Sequence, residues 1–339
     1  MVAGLSASRR TFLLLAAMAA LGEPGAVSAA DVPMAASGLT YVQTFADRNA
    51  TGEALADAFF GMLSLVGSPA GTVGTTAEQD KASRDIVEPY LDPAFLLQRA
   101  SGERYTAQTY VPADVDEFEI GDVRETRPTS DVVVVRYSVR TTQSLPDAAL
   151  IMSTDKAPRL TVFHWSESDS RWKILSHANF NTPVAAICDR KPVVENILTS
   201  PASPEDQALG QKLMKDWFAL AEAGNILRML SPMIQLQTAG GHGYTTLSEH
   251  QPVKVAKTDI ENLVVTRNGD LMVLSLYAKA SGTQLLGAQF GTDLAPRLYT
   301  FLDYGNGAWR LIASAYFNIP AKLPEEIKCV PPGKLGSAP

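Results

Sequence analysis

The chain has 339 residues, with 29 Lys and Arg against 36 Asp and Glu for a net charge of −7, four His and two Cys. An apolar fraction of 46% and a charged fraction of 19% are ordinary globular composition, which excludes disordered, collagenous and disulfide-dense classes. Net acidity argues against a nucleic-acid partner, which needs a basic face, and so few Cys and His exclude a multi-Cys zinc module or an iron–sulfur protein. The length suggests about two domains.

Ser8-Arg9-Arg10-Thr11-Phe12-Leu13 runs into the short apolar stretch Leu13 to Leu21, and Val27-Ser28-Ala29 supplies small residues before a cleavage point. A charged start, a short apolar core and small terminal residues predict a signal peptide over 1–29. Its consecutive arginines resemble the twin-arginine export signal of bacteria, and a general secretory signal is the alternative. The predicted address is periplasmic or secreted, with no stable membrane anchor after cleavage.

The remainder repeats itself. Ala157-Pro158-Arg159-Leu160-Thr161-Val162-Phe163 returns as Ala295-Pro296-Arg297-Leu298-Tyr299-Thr300-Phe301. Phe180-Asn181-Thr182-Pro183 returns as Phe317-Asn318-Ile319-Pro320, and Leu91-Asp92-Pro93 as Leu230-Ser231-Pro232. Such ordered matches predict one domain written twice, over 50–190 and 204–330, joined by a Ser/Pro-rich linker over 191–203 and followed by a tail over 331–339.

Each copy opens on a helix: Leu55, Phe59, Met62 and Leu63 recur at helical spacing, as do Leu209, Leu213, Trp217 and Leu220 after Ser203 as cap and Pro204 as first helical residue. A short second helix is expected near 86–91 and 226–230. Strands follow, among them the β-branched run from Val132 to Val139, its counterpart over 271–278, and closing pairs near 159–165 and 171–180. The turn Tyr304-Gly305-Asn306-Gly307 is a strong hairpin signal in the second copy. Helices first and antiparallel strands after them predict an α+β fold.

That order resembles the nuclear-transport-factor-2-like superfamily, which includes the ketosteroid-isomerase-like and SnoaL-like proteins, in two tandem copies. The resemblance rests on N-terminal helices, a curved sheet and a Trp opening the last strand (Trp172, Trp309). It implies two cones, three helices apiece, each with helices packed on a curved antiparallel sheet. It implies a concave ligand cavity as well, and pairing of the copies as an internal pseudo-dimer. The superfamily spans isomerases, cyclases, dehydratases, binding domains and interaction modules, so it leaves the activity open.

Strand alternation places Arg159 on a face with Thr161 and Phe163, and Arg297 on a face with Tyr299 and Phe301. A guanidinium lining the cone could grip an anionic ligand; an ion pair with the Asp four residues earlier is the alternative. His177 would be a base only inside the pocket, and its counterpart is Ser314, so the copies do not share that chemistry. The same alternation puts His177 with Lys173 and Leu175, opposite Trp172, Ile174 and Ser176. Tyr105 and Tyr244 follow matched glycine turns and are candidate ligand contacts.

The first copy, with the acidic run Asp114 to Asp122, carries −7 over 51–190 against −1 over 205–330, which reads as a solvated edge, with a charge asymmetry that helps the copies face each other as the alternative. His242 and His250 lack further ligands at workable spacing, so neither a metal nor a cofactor is assigned. Cys188 and Cys329 form an even pair that an oxidising compartment would join as a disulfide. The function these features favour is binding of a small, partly apolar molecule in one or both cones. An isomerase-, cyclase- or dehydratase-type enzyme and a non-catalytic interaction module are the alternatives.

Overall fold

The computed structural model describes residues 34–66, 77–100, 102–110, 112, 114–144, 150–152, 155–181, 183–187, 198–239, 243–244, 247, 253–284, 289–291, 294–317 and 329–330. The predicted signal peptide, most of the linker and the tail lie outside them. The first unit runs α1 (Met34–Ala46), α2 (Gly52–Leu63), α3 (Ala77–Val87) and a 3-10 turn (Glu88–Tyr90). Its strands are β1 (Leu91–Arg99), β2 (Arg104–Thr106), β3 (Asp114–Thr129), β4 (Val132–Ser144), β5 (Leu150–Met152), β6 (Ala157–Ser166), β7 (Arg171–Asn179) and β8 (Pro183–Ile187). The second unit has α4 (Pro204–Glu222) and a 3-10 turn (Ile226–Met229). Its strands are β9 (Leu230–Thr238), β10 (Gly243–Tyr244), β11 (Val253–Asn268), β12 (Leu271–Gln284), β13 (Gln289–Gly291), β14 (Ala295–Asp303), β15 (Trp309–Tyr316) and β16 (Cys329–Val330).

Two large sheets carry the α+β fold in the same strand order, β2-β1-β7-β6-β4-β3 and β10-β9-β15-β14-β12-β11, with β13 paired to β12. In each, one parallel pair (β1 with β7, β9 with β15) joins an otherwise antiparallel arrangement. A third sheet, β16-β8-β5, ties the C-terminal strand of the chain to the first unit.

The helices begin where their caps dictate. Thr51 accepts the Ala54 N–H at 3.2 Å and Ser203 accepts the Asp206 N–H at 3.1 Å, each satisfying one orphan donor of a first turn. The apolar faces of α1 and α2 then close over one face of the first sheet, with Phe45, Leu55, Phe59, Phe95 and Phe163 fully buried there. In the second unit α4 does this alone, through Leu213, Met214 and Trp217. Three helices were expected per copy, and only the first unit has them among the described residues. The short helices expected near 86–91 and 226–230 are single 3-10 turns.

Residues alternate along β4 as a half-buried strand requires: Val133, Val135, Tyr137 and Val139 point to the helices, and Val132 and Val134 point away. Along β7 the expected alternation fails. Phe163 stands opposite Ile174 but Val162 stands opposite Ser176, so Leu175 is an extra residue, a β-bulge. The bulge changes the phase: Trp172 and Ile174 face the helices, Leu175 crosses to the other face, and His177 returns to the helix side beside Phe59. The second unit repeats the device at Ile312, between the pairs Phe301–Leu311 and Thr300–Ala313.

The faces turned away from the helices meet each other. Leu96, Val134, Leu160 and Phe180 share one buried layer with Val273, Leu298, Ile312 and Phe317. Thr266 Oγ1 donates to the Ala94 carbonyl at 2.6 Å, and the equivalently paired Thr126 donates to the Met233 carbonyl at 2.9 Å. Contacts repeated in both directions are the mark of a two-fold relation. No helix among the described residues is long and apolar enough to cross a membrane.

Candidate functional site

Between the first sheet and α2, Phe59, Phe60, Phe95, Phe118 and Val139 belong to one apolar cluster. Polar side chains from four strands converge in it. Tyr137 on β4, Arg159 and Thr161 on β6, His177 on β7 and Arg99 on β1 lie on neighbouring registers, with Tyr137 opposite Arg159 and Thr161 opposite His177. The Tyr137 hydroxyl lies 2.9 Å from Thr161 Oγ1, which lies 2.8 Å from His177 Nδ1. The imidazole meets the Phe59 ring edge-on at 5.2 Å.

Arg159 is fully buried. Its Nη1 donates to the Pro158 carbonyl at 2.8 Å and the Ala157 carbonyl at 3.3 Å. Its Nε and Nη2 have no hydrogen-bond partner among the described residues. Asp155, the alternative ion-pair partner, is exposed and is not among the groups bonded to this guanidinium. Burial pushes Arg159 down to about 10, a shift opposed by the Tyr137 hydroxyl and reinforced by the second cation, Arg99. At neutral pH the guanidinium therefore stays charged inside an apolar wall. Arg99 is compensated: its Nη1 lies 3.0 Å from Glu103 Oε2, and its guanidinium stacks 5.2 Å over Tyr105.

Burial, with Arg159 and then Arg99, holds His177 well below the usual imidazole range, so it is neutral at pH 7. A neutral imidazole can accept a hydrogen bond, but this depression makes it a weak base that is rarely protonated at neutral pH. Tyr137 and Tyr110 are raised by burial, Tyr110 to about 12, so both hydroxyls remain protonated donors. The arrangement can bind and orient an anion. Among the described residues no group of His, Cys, Asp and Glu could hold a metal.

The second interior is built differently on the same frame. Arg297 is buried, donates from Nη1 to the Pro296 carbonyl at 3.0 Å and lies 5.2 Å over the Tyr316 ring. Where the first unit has Thr161 opposite His177, the second has Tyr299 opposite Ser314. Tyr299 packs 6.1 Å from Trp217 and 5.8 Å from Tyr316, so an aromatic cluster stands here. Outside it, Leu209, Leu213, Leu220, Met229 and Trp309 line a groove along α4. The first unit covers the matching Trp172 with the end of α1, through a bond from its indole Nε1 to the Asp47 carbonyl at 2.9 Å.

The structure thus brings together Arg159 and His177, with Tyr105 at the rim on Arg99, and separately Arg297 and Tyr299. Tyr244 stands on β10 opposite Leu236. Cys188 lies outside the described residues; Cys329 stands opposite Ala186 on β8. Sequence reasoning missed Tyr137, Thr161 as a relay and Arg99. Tyr137 had a visible signal, as the one aromatic hydroxyl inside the valine run of β4. Arg99 had none.

Sheet order, bulge and helices define the class, an α+β protein of two cone-shaped units. No protein-family model and no curated protein matches the chain. Among solved structures it is similar to an NTF2-like protein of unknown function in nutrient uptake from Rhodospirillum rubrum, at 19% identity and a TM-score of 0.27, over 32% of this chain and 95% of that one. It is similar also to a nuclear transport factor 2 superfamily protein from Salmonella enterica, at 13% identity and a TM-score of 0.26, over 34% and 94%. An NTF2-like protein from Cytophaga hutchinsonii matches at 14% identity and a TM-score of 0.27, over 34% and 97%.

Proposed function

We propose that this protein binds a small, partly apolar molecule in the interior of its first unit. The observation that carries the reading is the Tyr137–Thr161–His177 chain beside Arg159, four polar groups set into an otherwise aromatic wall. Few convergent polar groups in an apolar concavity are what small-molecule sites are made of. The second unit, with the aromatic cluster of Trp217, Tyr299 and Tyr316, serves as the partner that covers the back of the first sheet. In this reading the two are tandem nuclear-transport-factor-2-like copies forming an internal pseudo-dimer. Residues 1–29 direct export to the periplasm or beyond. Cys188 joins Cys329, which is consistent with β16 lying beside β8, whose last residue Ile187 precedes Cys188.

Native mass spectrometry of protein purified from its host, with extraction and identification of what it retains, tests the reading. A retained small molecule supports it; repeated recovery of the bare chain counts against it. A second reading, an isomerase- or dehydratase-type enzyme, is favoured by the relay of three hydroxyl and imidazole groups. It requires turnover of the retained molecule, lost in His177→Phe.

A further inference from the structure

We propose that the molecule held in the first unit is a monocarboxylate, and that its carboxylate sits side-on against the Nε–Nη2 edge of Arg159. The inference rests on the binding reading above and adds the chemical class of the ligand. The first support is which donors are free. A guanidinium has two usable edges, and Nη1 of Arg159 is committed to the carbonyls of Ala157 and Pro158. Nε and Nη2, the two atoms without a partner among the described residues, share one edge of the planar group and send parallel N–H bonds outward. Two parallel donors at that spacing match the two oxygens of one carboxylate in a fork-to-fork pair. A halide would satisfy only one of them well, and a tetrahedral phosphate would leave oxygens facing aromatic rings.

The second support is charge. Three groups in this interior could be cationic. Arg99 has Glu103 at 3.0 Å. His177 is neutral. Arg159, at 0% exposure, has no counter-charge among the described residues. A buried, unpaired cation is strongly unfavourable, and a single negative charge removes the penalty where a dianion would reverse it. The third support is the wall. Phe59 and Phe60 stand beside His177, and Phe60 meets Tyr137 edge-on at 6.1 Å, so the body attached to the carboxylate is aromatic or alicyclic.

The test is calorimetric titration of the full chain with 1-naphthoate and with its neutral counterpart 1-naphthalenemethanol, in wild type, Arg159→Met and Arg159→Lys. Arg159→Met removes a charge that the fold does not pair, so the variant folds, and its thermal unfolding verifies this. The proposal expects naphthoate to bind wild type and to lose about 10–100-fold in Arg159→Met, the range of a charge-assisted pair. Arg159→Lys, which keeps the charge and loses the fork, should recover only part of it. The alcohol should bind Arg159→Met at least as well as wild type. Equal affinity of the acid and alcohol for wild type, or naphthoate binding untouched by Arg159→Met, overturns the carboxylate while leaving the binding reading in place. Chloride alone raising the melting temperature as far as naphthoate also overturns it, in favour of a simple anion. Failure of both probes, with no molecule retained from the host, overturns the binding reading itself.

Discussion

Phe180 and Phe317, which follow the equivalent strands β7 and β15, stack on each other with centroids 4.4 Å apart and planes 20° from parallel. Each ring is almost fully buried, and each is the two-fold counterpart of the other. The stack therefore belongs to neither unit alone. Phe317→Ala is expected to cost about 3–5 kcal/mol, the range for emptying a buried aromatic site. A double-mutant cycle with Phe180→Ala should show a coupling of about 0.5–1.5 kcal/mol. Urea denaturation measures both, and a loss under about 1 kcal/mol would mean that the layer between the sheets is not a packed core.

Asp92 carries a further bond between the units. Fully buried, it accepts the Ala94 N–H at 2.8 Å and the Asn268 amide at 2.9 and 3.1 Å, and lies 2.9 Å from His164 Nδ1. Asp92→Ala orphans these donors at once and should cost about 3–5 kcal/mol. Asn268→Ala, which leaves the Ala94 and His164 contacts in place, should cost less. Equal losses in the two variants would contradict this ordering.

Arg159 is expected to be a stability liability. Its folded-state pKa is lowered to about 10 from the ordinary guanidinium value, so between the two the unfolded chain binds more protons and stability rises with pH. Below about pH 10 the penalty is fully present. Arg159→Met should therefore stabilise the ligand-free protein at pH 7, by about 1–4 kcal/mol. Destabilisation by that amount would show that the guanidinium already has a partner.

His177 acts with the same sign in an acidic window. Burial and the two arginines hold its folded pKa well below the usual imidazole range, so the imidazole is neutral when folded and takes up a proton on unfolding in acid. Stability is fully present above about pH 6.5 and falls as pH drops below it, by up to about 1.4 kcal/mol per pH unit from this group. His177→Gln should flatten the loss between pH 6.5 and 5 while lowering stability at pH 7. An unchanged slope would place the acid sensitivity elsewhere.

Much of the fold is readable from residue order, because repeats, caps and hairpin turns are local signals. Ser203, Pro204 and the Gly305-Asn306-Gly307 turn need no tertiary information, and Asn306 and both glycines adopt positive φ as that turn demands. The burial of Arg159 and Arg297 follows from alternation along one strand. The phase of His177 does not, because the bulge at Leu175 is set by pairing with β6, and strict alternation assigned His177 to the wrong set of neighbours. The helix α3 carries few apolar residues, so its apolar stripe is too thin to announce it. Arg99 joins the site only because β1 runs parallel beside β7, a non-local pairing.

The most direct measurement is amide hydrogen exchange of the full chain with and without saturating 1-naphthoate. A ligand in the first interior should slow exchange along Leu96–Arg99, around Tyr137 and from Ser176 to Asn179, and leave the matching segments of β9, β12 and β15 unchanged. Protection confined to the second unit, or along the groove beside α4, would contradict a ligand site in the first interior.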